Sequence, residues 1–147
     1  MTQRILAEQI ATVATSHTPV PTDVRAMLHR VTLDAFGLML AARQTDYIEA
    51  LKASCLDQGT ATAFGHGSGF TVQDATLING TAVHGEDFDD TFEGTPVHVS
   101  SVIVPTMLAI AERENISRDR LINAMAQGSE LICRLALVAP TAIHRQG

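Results

Sequence analysis

Along most of this chain apolar residues recur at spacings of three and four, the period of a helix with one buried face. Leu6, Ile10, Val13 and Ala14 place a first helix between Thr2 and Ser16, and Pro19 and Pro21 break the chain after it. A second helix is predicted with Thr22 as its cap and Asp23 in its first turn, and Val24, Leu28, Val31, Ala35, Leu38 and Ala42 form its stripe. Met27, Phe36 and Met39 widen that stripe, which predicts burial on most sides. Asp46 with Glu49 resembles a capping box for a short third helix carrying Ile48, Leu51 and Cys55, and Gly59 is placed to end it. Residues 60–65 alternate and read as one short extended segment, after which Gly65, Gly67 and Gly69 read as a loop. Thr71 and Asp74 open a helix that runs through Ala75, Ile78 and Ala82. Helical spacing resumes near Val102, with Pro105 expected in the first turn, where its missing N–H costs little. Asn115 is a left-handed stop, and Ser117 caps a last helix along which Leu121, Met125, Gly128, Ile132 and Leu135 recur until Pro140. The expectation is one all-α domain over residues 1–147, with at least five helices and at most one short extended segment.

Composition narrows this picture. Hydrophobic residues make up 46% of the chain, too many for a disordered segment, while aromatics make up only 4%, so the core must be aliphatic. The net charge is −6 and Lys52 is the only lysine, which argues against nucleic acid as a partner. Cys55 and Cys133 each fall in an apolar helical pattern and read as small buried side chains rather than a disulfide. The N-terminus lacks a charged leader followed by a long apolar stretch, and no uninterrupted run of about 18 apolar residues occurs. No signal peptide and no membrane span are therefore expected, and the cytoplasm is the expected location. The glycines at 65, 67 and 69 do not make a phosphate-binding loop, since no lysine follows and no buried strand with a downstream acid is evident.

The informative stretch is Asn79-Gly80-Thr81-Ala82-Val83-His84-Gly85-Glu86-Asp87-Phe88-Asp89-Asp90-Thr91, with His98 after Glu93-Gly94-Thr95-Pro96-Val97. Ionisable side chains crowd together at the end of an apolar helix. A solvated acidic loop is the plain alternative. Against it, the cluster interrupts apolar sequence, and it pairs acids with imidazoles, the combination used for proton transfer near neutral pH.

Asn-Gly-Thr-Ala-x-His followed by Asp-Phe-Asp-Asp-Thr resembles the signature of the MmgE/PrpD family, which includes 2-methylcitrate dehydratase, cis-aconitate decarboxylase and iminodisuccinate epimerase. His98-Val99-Ser100, Val104-Pro105, Met107 to Glu112 and the helix from Arg118 to Leu137 with Gly128-Ser129-Glu130 fit the same pattern. The family's segment reads His-Pro-Ser, so Val99 is a departure that bears on the local backbone. The wording from Gly85 to His98 is most similar to the iminodisuccinate epimerase branch. The resemblance implies a multi-helix domain of the family's N-terminal type and chemistry at a carbon beside a carboxylate: dehydration, decarboxylation or epimerisation of a di- or tricarboxylic acid. It implies no metal and no organic cofactor. It also implies that Asp87 and His98 are catalytic, His98 as acid/base or carboxylate-binding group and Asp87 as the group that orients a donor or moves a proton. His84 is read either as a second site imidazole or as a cap of the helix end. Asp89 and Asp90 are read as acceptors that shape the loop, and Asn79 and Gly80 as serving a helix kink or close helix contact. His17, His29 and His66 are read as incidental, and Glu130 as a buried paired acid outside the chemistry.

Members of that family are considerably longer, with a further histidine beyond the point matching Gly147 and later lysines and arginines that bind substrate carboxylates. The resemblance thus implies that the 147-residue chain alone is inactive, as a truncated part of such an enzyme or as a helical dimerisation module. The last helix is apolar on more than one face (Leu121, Ile122, Leu131, Ile132, Leu135, Leu137 and Val138), which predicts a homodimer or docking against further sequence. Asp87 and His98 are expected to face one cavity, with His84 nearby, open on the side that the family's further sequence would close. A different class uses the same letters. Asp89-Asp90-x-x-Glu93 matches the carboxylates that hold Mg²⁺ against a diphosphate in isoprenoid synthases, and Asp87-Phe88-Asp89-Asp90 spells the Asp-x-Asp-Asp of protonating terpene cyclases. Such a site needs basic residues to receive the diphosphate, and neither a basic patch nor a second metal motif is present in the sequence.

Overall fold

The computed structural model describes residues 5–16, 18–138 and Pro140. Six helices account for 66% of these described residues: α1 (Leu6–Ala14), α2 (Thr22–Ala42), α3 (Asp46–Ser54), α4 (Val72–His84), α5 (Ser100–Glu114) and α6 (Arg118–Val138). Between α3 and α4 lies a two-stranded antiparallel hairpin, β1 (Ala61–Ala63) with β2 (Gly67–Phe70). The helix boundaries follow local chemistry where a side chain can reach the orphan N–H groups. The Thr71 hydroxyl accepts from Asp74 N at 3.1 Å and opens α4; Ser117 Oγ accepts from Arg120 N at 3.5 Å at the start of α6. Asn115 ends α5 in the left-handed region, at φ 47° and ψ 48°.

Several expectations are corrected. Pro21, not Thr22, occupies the cap of α2, and its fixed φ of −55° sets the entry while Thr22 falls inside the first turn. Thr45, not Asp46, precedes α3; Asp46 Oδ1 accepts from Tyr47 N, and Glu49 pairs with Lys52 instead of reaching back. Gly59 does not end α3, whose last helical residue is Ser54. Its N–H instead bonds the Gly69 carbonyl at 3.1 Å, and a side chain there would collide with the Phe70 backbone. The expected single extended segment has a partner. Of the glycines read as a loop, Gly65 lies in the turn while Gly67 and Gly69 lie in β2, and their φ of 86°, 93° and 119° let the chain reverse and pair within so few residues.

Helix α4 is the centre of the packing, set against α2, α3, α5 and the hairpin. Ala75, Ile78, Ala82 and Val83 are buried on it, and Met39, Ile48 and Val104 meet them in the core from α2, α3 and α5. Asn79, also buried, pins the hairpin: its Oδ1 accepts from Phe64 N at 2.8 Å and its Nδ2 donates to the Thr62 carbonyl at 2.9 Å. Gly80 lets α4 approach α5 closely, since a Cβ at this position would lie 3.0 Å from the Ser101 carbonyl oxygen. Pro105 lies inside α5, one turn deeper than expected, and is buried. With no N–H to give, it leaves the Ser101 carbonyl, four residues back, without its helical donor, and α4 runs against that oxygen at Gly80.

Helix α2 is not buried on most sides. Only its face toward α4, α5 and α6 is covered, and Val24, Met27, Leu33 and Leu40 remain exposed. Helix α1 buries no residue and packs on α6. By length and mean hydropathy, 1.2 over its most apolar stretch, α6 would reach across a membrane although its apolar residues are not continuous. Asn123, Gln127, Glu130 and Arg134 interrupt it, and Ile122 and Met125 are core residues. Glu130 is exposed and pairs with Arg134 at 2.6 Å, so it is not a buried acid. Cys55 and Cys133 are free and half-buried.

Candidate functional site

The loop from Gly85 to Val99 leaves the end of α4 and returns to the start of α5, the two helices that Gly80 holds close. It turns at Asp87, which takes a left-handed φ of 57°, a backbone region that aspartate tolerates better than most residues. Tyr47 steadies it from α3: its hydroxyl donates to Glu86 Oε1 at 2.9 Å, and Gly85 leaves the room that the Tyr47 ring fills. The return is closed by a bridge in which Phe92 N donates to the Val97 carbonyl at 2.9 Å. Asp90 Oδ1 then accepts from Ser100 N at 2.9 Å, a remote cap for α5, whose own cap residue Val99 offers no side-chain acceptor. Val99 sits at φ −83°, just beyond the range of about −65 ± 15° that a proline ring would impose, so the departure from His-Pro-Ser leaves φ near the same region.

This path brings His84 and His98 together, with ring centroids 4.6 Å apart and planes at 63°. Between them lies Asp89, whose side chain is wholly buried. One of its oxygens, Oδ1, is 3.1 Å from His84 Nδ1 and 3.0 Å from His98 Nδ1. Burial pushes the Asp89 carboxyl up, but hydrogen bonds from His84 and the Ser101 hydroxyl, with the charges of both imidazoles, outweigh it and hold the group below the ordinary carboxylate range. Asp89 Oδ2 is buried without a well-formed hydrogen bond of its own. The Ser101 hydroxyl lies 3.4 Å from the His98 carbonyl, a contact long enough to leave that rotor free for the carboxylate.

Asp87 stands on the outer side, largely exposed, with Oδ1 3.6 Å from His98 Nε2. Asp87, His98 and His84 therefore share one surface. Their surface is open to solvent, and neither of two clefts found elsewhere among the described residues is lined by them. One cleft, of about 490 Å³, lies on the other side of the loop between α2, α5 and α6, and receives Asp90 and Ser100. Asp89 is the residue whose place the sequence pattern conveyed least. The available signal was the step of two between Asp87 and Asp89, which in a turning loop sends one acid out and the next one in. Tyr47 carried no signal at all.

Ligand atoms of His84, Asp87, Asp89 and His98 all lie within 4.8 Å of one another, and imidazole with carboxylate is a donor set that first-row metals accept. The contacts at 3.0 and 3.1 Å are those of direct N–H donation from each Nδ1 to Asp89, which leaves each Nε2 as the ring nitrogen open to a proton or a metal. The Mg²⁺ reading has no matching geometry. Asp89 is turned inward to the histidines, Asp90 caps α5, and Glu93 is exposed.

The pattern of the MmgE/PrpD N-terminal domain matches residues 4–146. The cis-aconitate decarboxylase-like protein oryM of Aspergillus oryzae is 25% identical over 96 residues, which cover 63% of this chain and 20% of that protein. The match thus takes in about a fifth of the length of this curated relative. No solved structure matches the chain. Its whole described length, from α1 to the end of α6, falls within the matched region, and the chain belongs to the MmgE/PrpD family as an N-terminal domain.

Proposed function

We propose that this chain supplies the acid–base half of an enzyme that moves a proton at a carbon next to a carboxylate. The observation that carries the reading is the pairing of His98 Nε2 with the exposed Asp87 carboxylate, 3.6 Å away, on a surface otherwise backed by apolar helices. Dehydration, decarboxylation and epimerisation of a di- or tricarboxylic acid all pass through or near a carbanion or enediolate. The relative's name points toward decarboxylation and the wording from Gly85 to His98 toward epimerisation; proton transfer at the α-carbon is common to both. His98 Nε2 takes or returns that proton. Asp87 holds the protonated ring in place or passes its proton to solvent, and His84 borders the same surface. The cluster is itself anionic, so the groups that receive the substrate's carboxylates come from other parts of a family-length protein. The reading needs no metal and no organic cofactor, and places the protein in the cytoplasm as a homodimer.

The test is turnover of 2-methylcitrate, cis-aconitate and iminodisuccinate by a family-length protein that contains this chain. His98→Ala and Asp87→Asn are each expected to lower turnover by about 10²-fold or more, the size of a lost proton-transfer group. Circular dichroism should stay unchanged, because Asp87 makes few packing contacts. The 147-residue chain by itself is expected to show no turnover. A His98→Ala protein with the parent's rate would end this reading.

A further inference from the structure

We infer that Asp89 is the positioning residue of this site: through one carboxylate oxygen it holds both His84 and His98 with the proton on Nδ1, so that two unprotonated Nε2 atoms are presented on one surface. A neutral imidazole has one N–H donor and one lone-pair acceptor. An ionised carboxylate offers only lone pairs. A bare Nδ1 at 3.0 or 3.1 Å from Asp89 Oδ1 would set lone pair against lone pair, so each Nδ1 must be the nitrogen that carries hydrogen. In water a histidine favours the opposite tautomer, with Nε2–H, so the protein imposes this one twice. The outer edges of the rings stay accessible, with side-chain exposures of 52% for His84 and 23% for His98. Either ring can then accept a proton at Nε2, and the buried carboxylate stabilises the imidazolium that results without taking its proton. His84 and His98 are thereby equivalent in kind, two acceptors served by one acid, and Asp87 beside His98 Nε2 distinguishes them.

The tautomers themselves do not depend on the proposed reaction; only the effect on turnover rests on that reading. The experiment is a nitrogen-detected NMR spectrum of the histidine rings in this chain at roughly pH 9, well above the ordinary imidazole value. Both His84 and His98 are expected to show a protonated Nδ1 and a bare Nε2. In Asp89→Ala at least one ring is expected to move toward the Nε2–H tautomer. A wild-type spectrum with Nδ1 bare in either ring would overturn the inference, and that spectrum decides the matter even where the variant fails to fold. A folded Asp89→Ala protein with both rings unchanged would overturn it too. In a family-length protein, Asp89→Ala is expected to lower kcat by about 10²-fold or more with KM changed only a few-fold; an unchanged kcat would refute the positioning role. A His98→Ala protein with full turnover would remove the proposed reaction while leaving the tautomers as measured, so the two failures are separable.

Discussion

Asp89 shows how much one buried carboxylate can organise. It is 6% exposed as a residue, and a lone charge at such a depth is costly unless it is hydrogen-bonded. Two imidazoles and a nearby hydroxyl meet that need, and their combined effect holds its proton affinity below the ordinary value despite burial. The sign of the stability effect follows. A carboxyl whose folded pKa is depressed contributes stability that is present above its unfolded pKa, about 3.9, and is lost as pH falls through the folded value. The chain is therefore expected to lose urea resistance below about pH 4, and Asp89→Asn to show a shallower loss over that range. Identical acid profiles for the two proteins would contradict this account. Asn79 is the neutral counterpart. It gives a donor to Thr62 in β1 and an acceptor to Phe64 just after it, which ties the hairpin to α4 and so to the same helix that carries His84.

At the scale of elements, the approach of α4 to α5 sets the distance between the two histidines, because His84 ends one helix and His98 precedes the other. Gly80 and the Ser101 carbonyl form that contact, and Pro105 is the reason the carbonyl has no helical donor. Gly128 on α6 makes a different contact, facing only the Cδ1 end of Ile103. An alanine gains up to about 1 kcal/mol of helix propensity over glycine at either position. At Gly80 the new methyl meets rigid backbone, and the strain is expected to reverse that gain, for a net loss of about 1–2 kcal/mol. At Gly128 the isoleucine tip can turn away, and the change is expected to be near neutral. Urea midpoints of Gly80→Ala and Gly128→Ala check this; a Gly80→Ala protein at least as stable as Gly128→Ala would show that the helix contact is not tight.

For the whole molecule, the uncovered apolar surface is the dominant feature. Leu135, Leu137 and Val138 on α6, Leu6 and Val13 on α1, and Met27 and Leu33 on α2 are all about half exposed or more. Apolar clefts of about 490 and 680 Å³ run along the α6 side of the molecule, one toward α2 and α5 and the other toward α1. Soluble monomers rarely leave so much apolar surface to water. We propose that these faces are covered, by a second copy or by the rest of a family-length protein. Sedimentation of the isolated chain is expected to show concentration-dependent association, and Leu135→Glu with Leu137→Glu to reduce it. A monodisperse monomer at high concentration would count against the proposal.

What was legible in the sequence was what neighbours along the chain decide. The six helices, the Thr71 and Ser117 caps and the left-handed Asn115 all rest on interactions within one turn, so spacing and side-chain type were enough to read them. The crowding of acids and imidazoles between His84 and His98 was visible in the same way, and so was the family to which that motif belongs. Contacts across the chain decided the rest. The Gly67–Phe70 strand forms because β1 is there to pair with it and Asn79 is there to anchor β1, neither of which a run of glycines reveals. Pro105 sits inside α5 because α5 starts at Ser100, where the Asp90 carboxylate arrives through space to cap it. Which acid turns inward depends on a loop tied at both ends to two helices held close at Gly80. Alternation can suggest that Asp87 and Asp89 differ, but only the packed distance between α4 and α5 places both imidazoles on the same oxygen of Asp89.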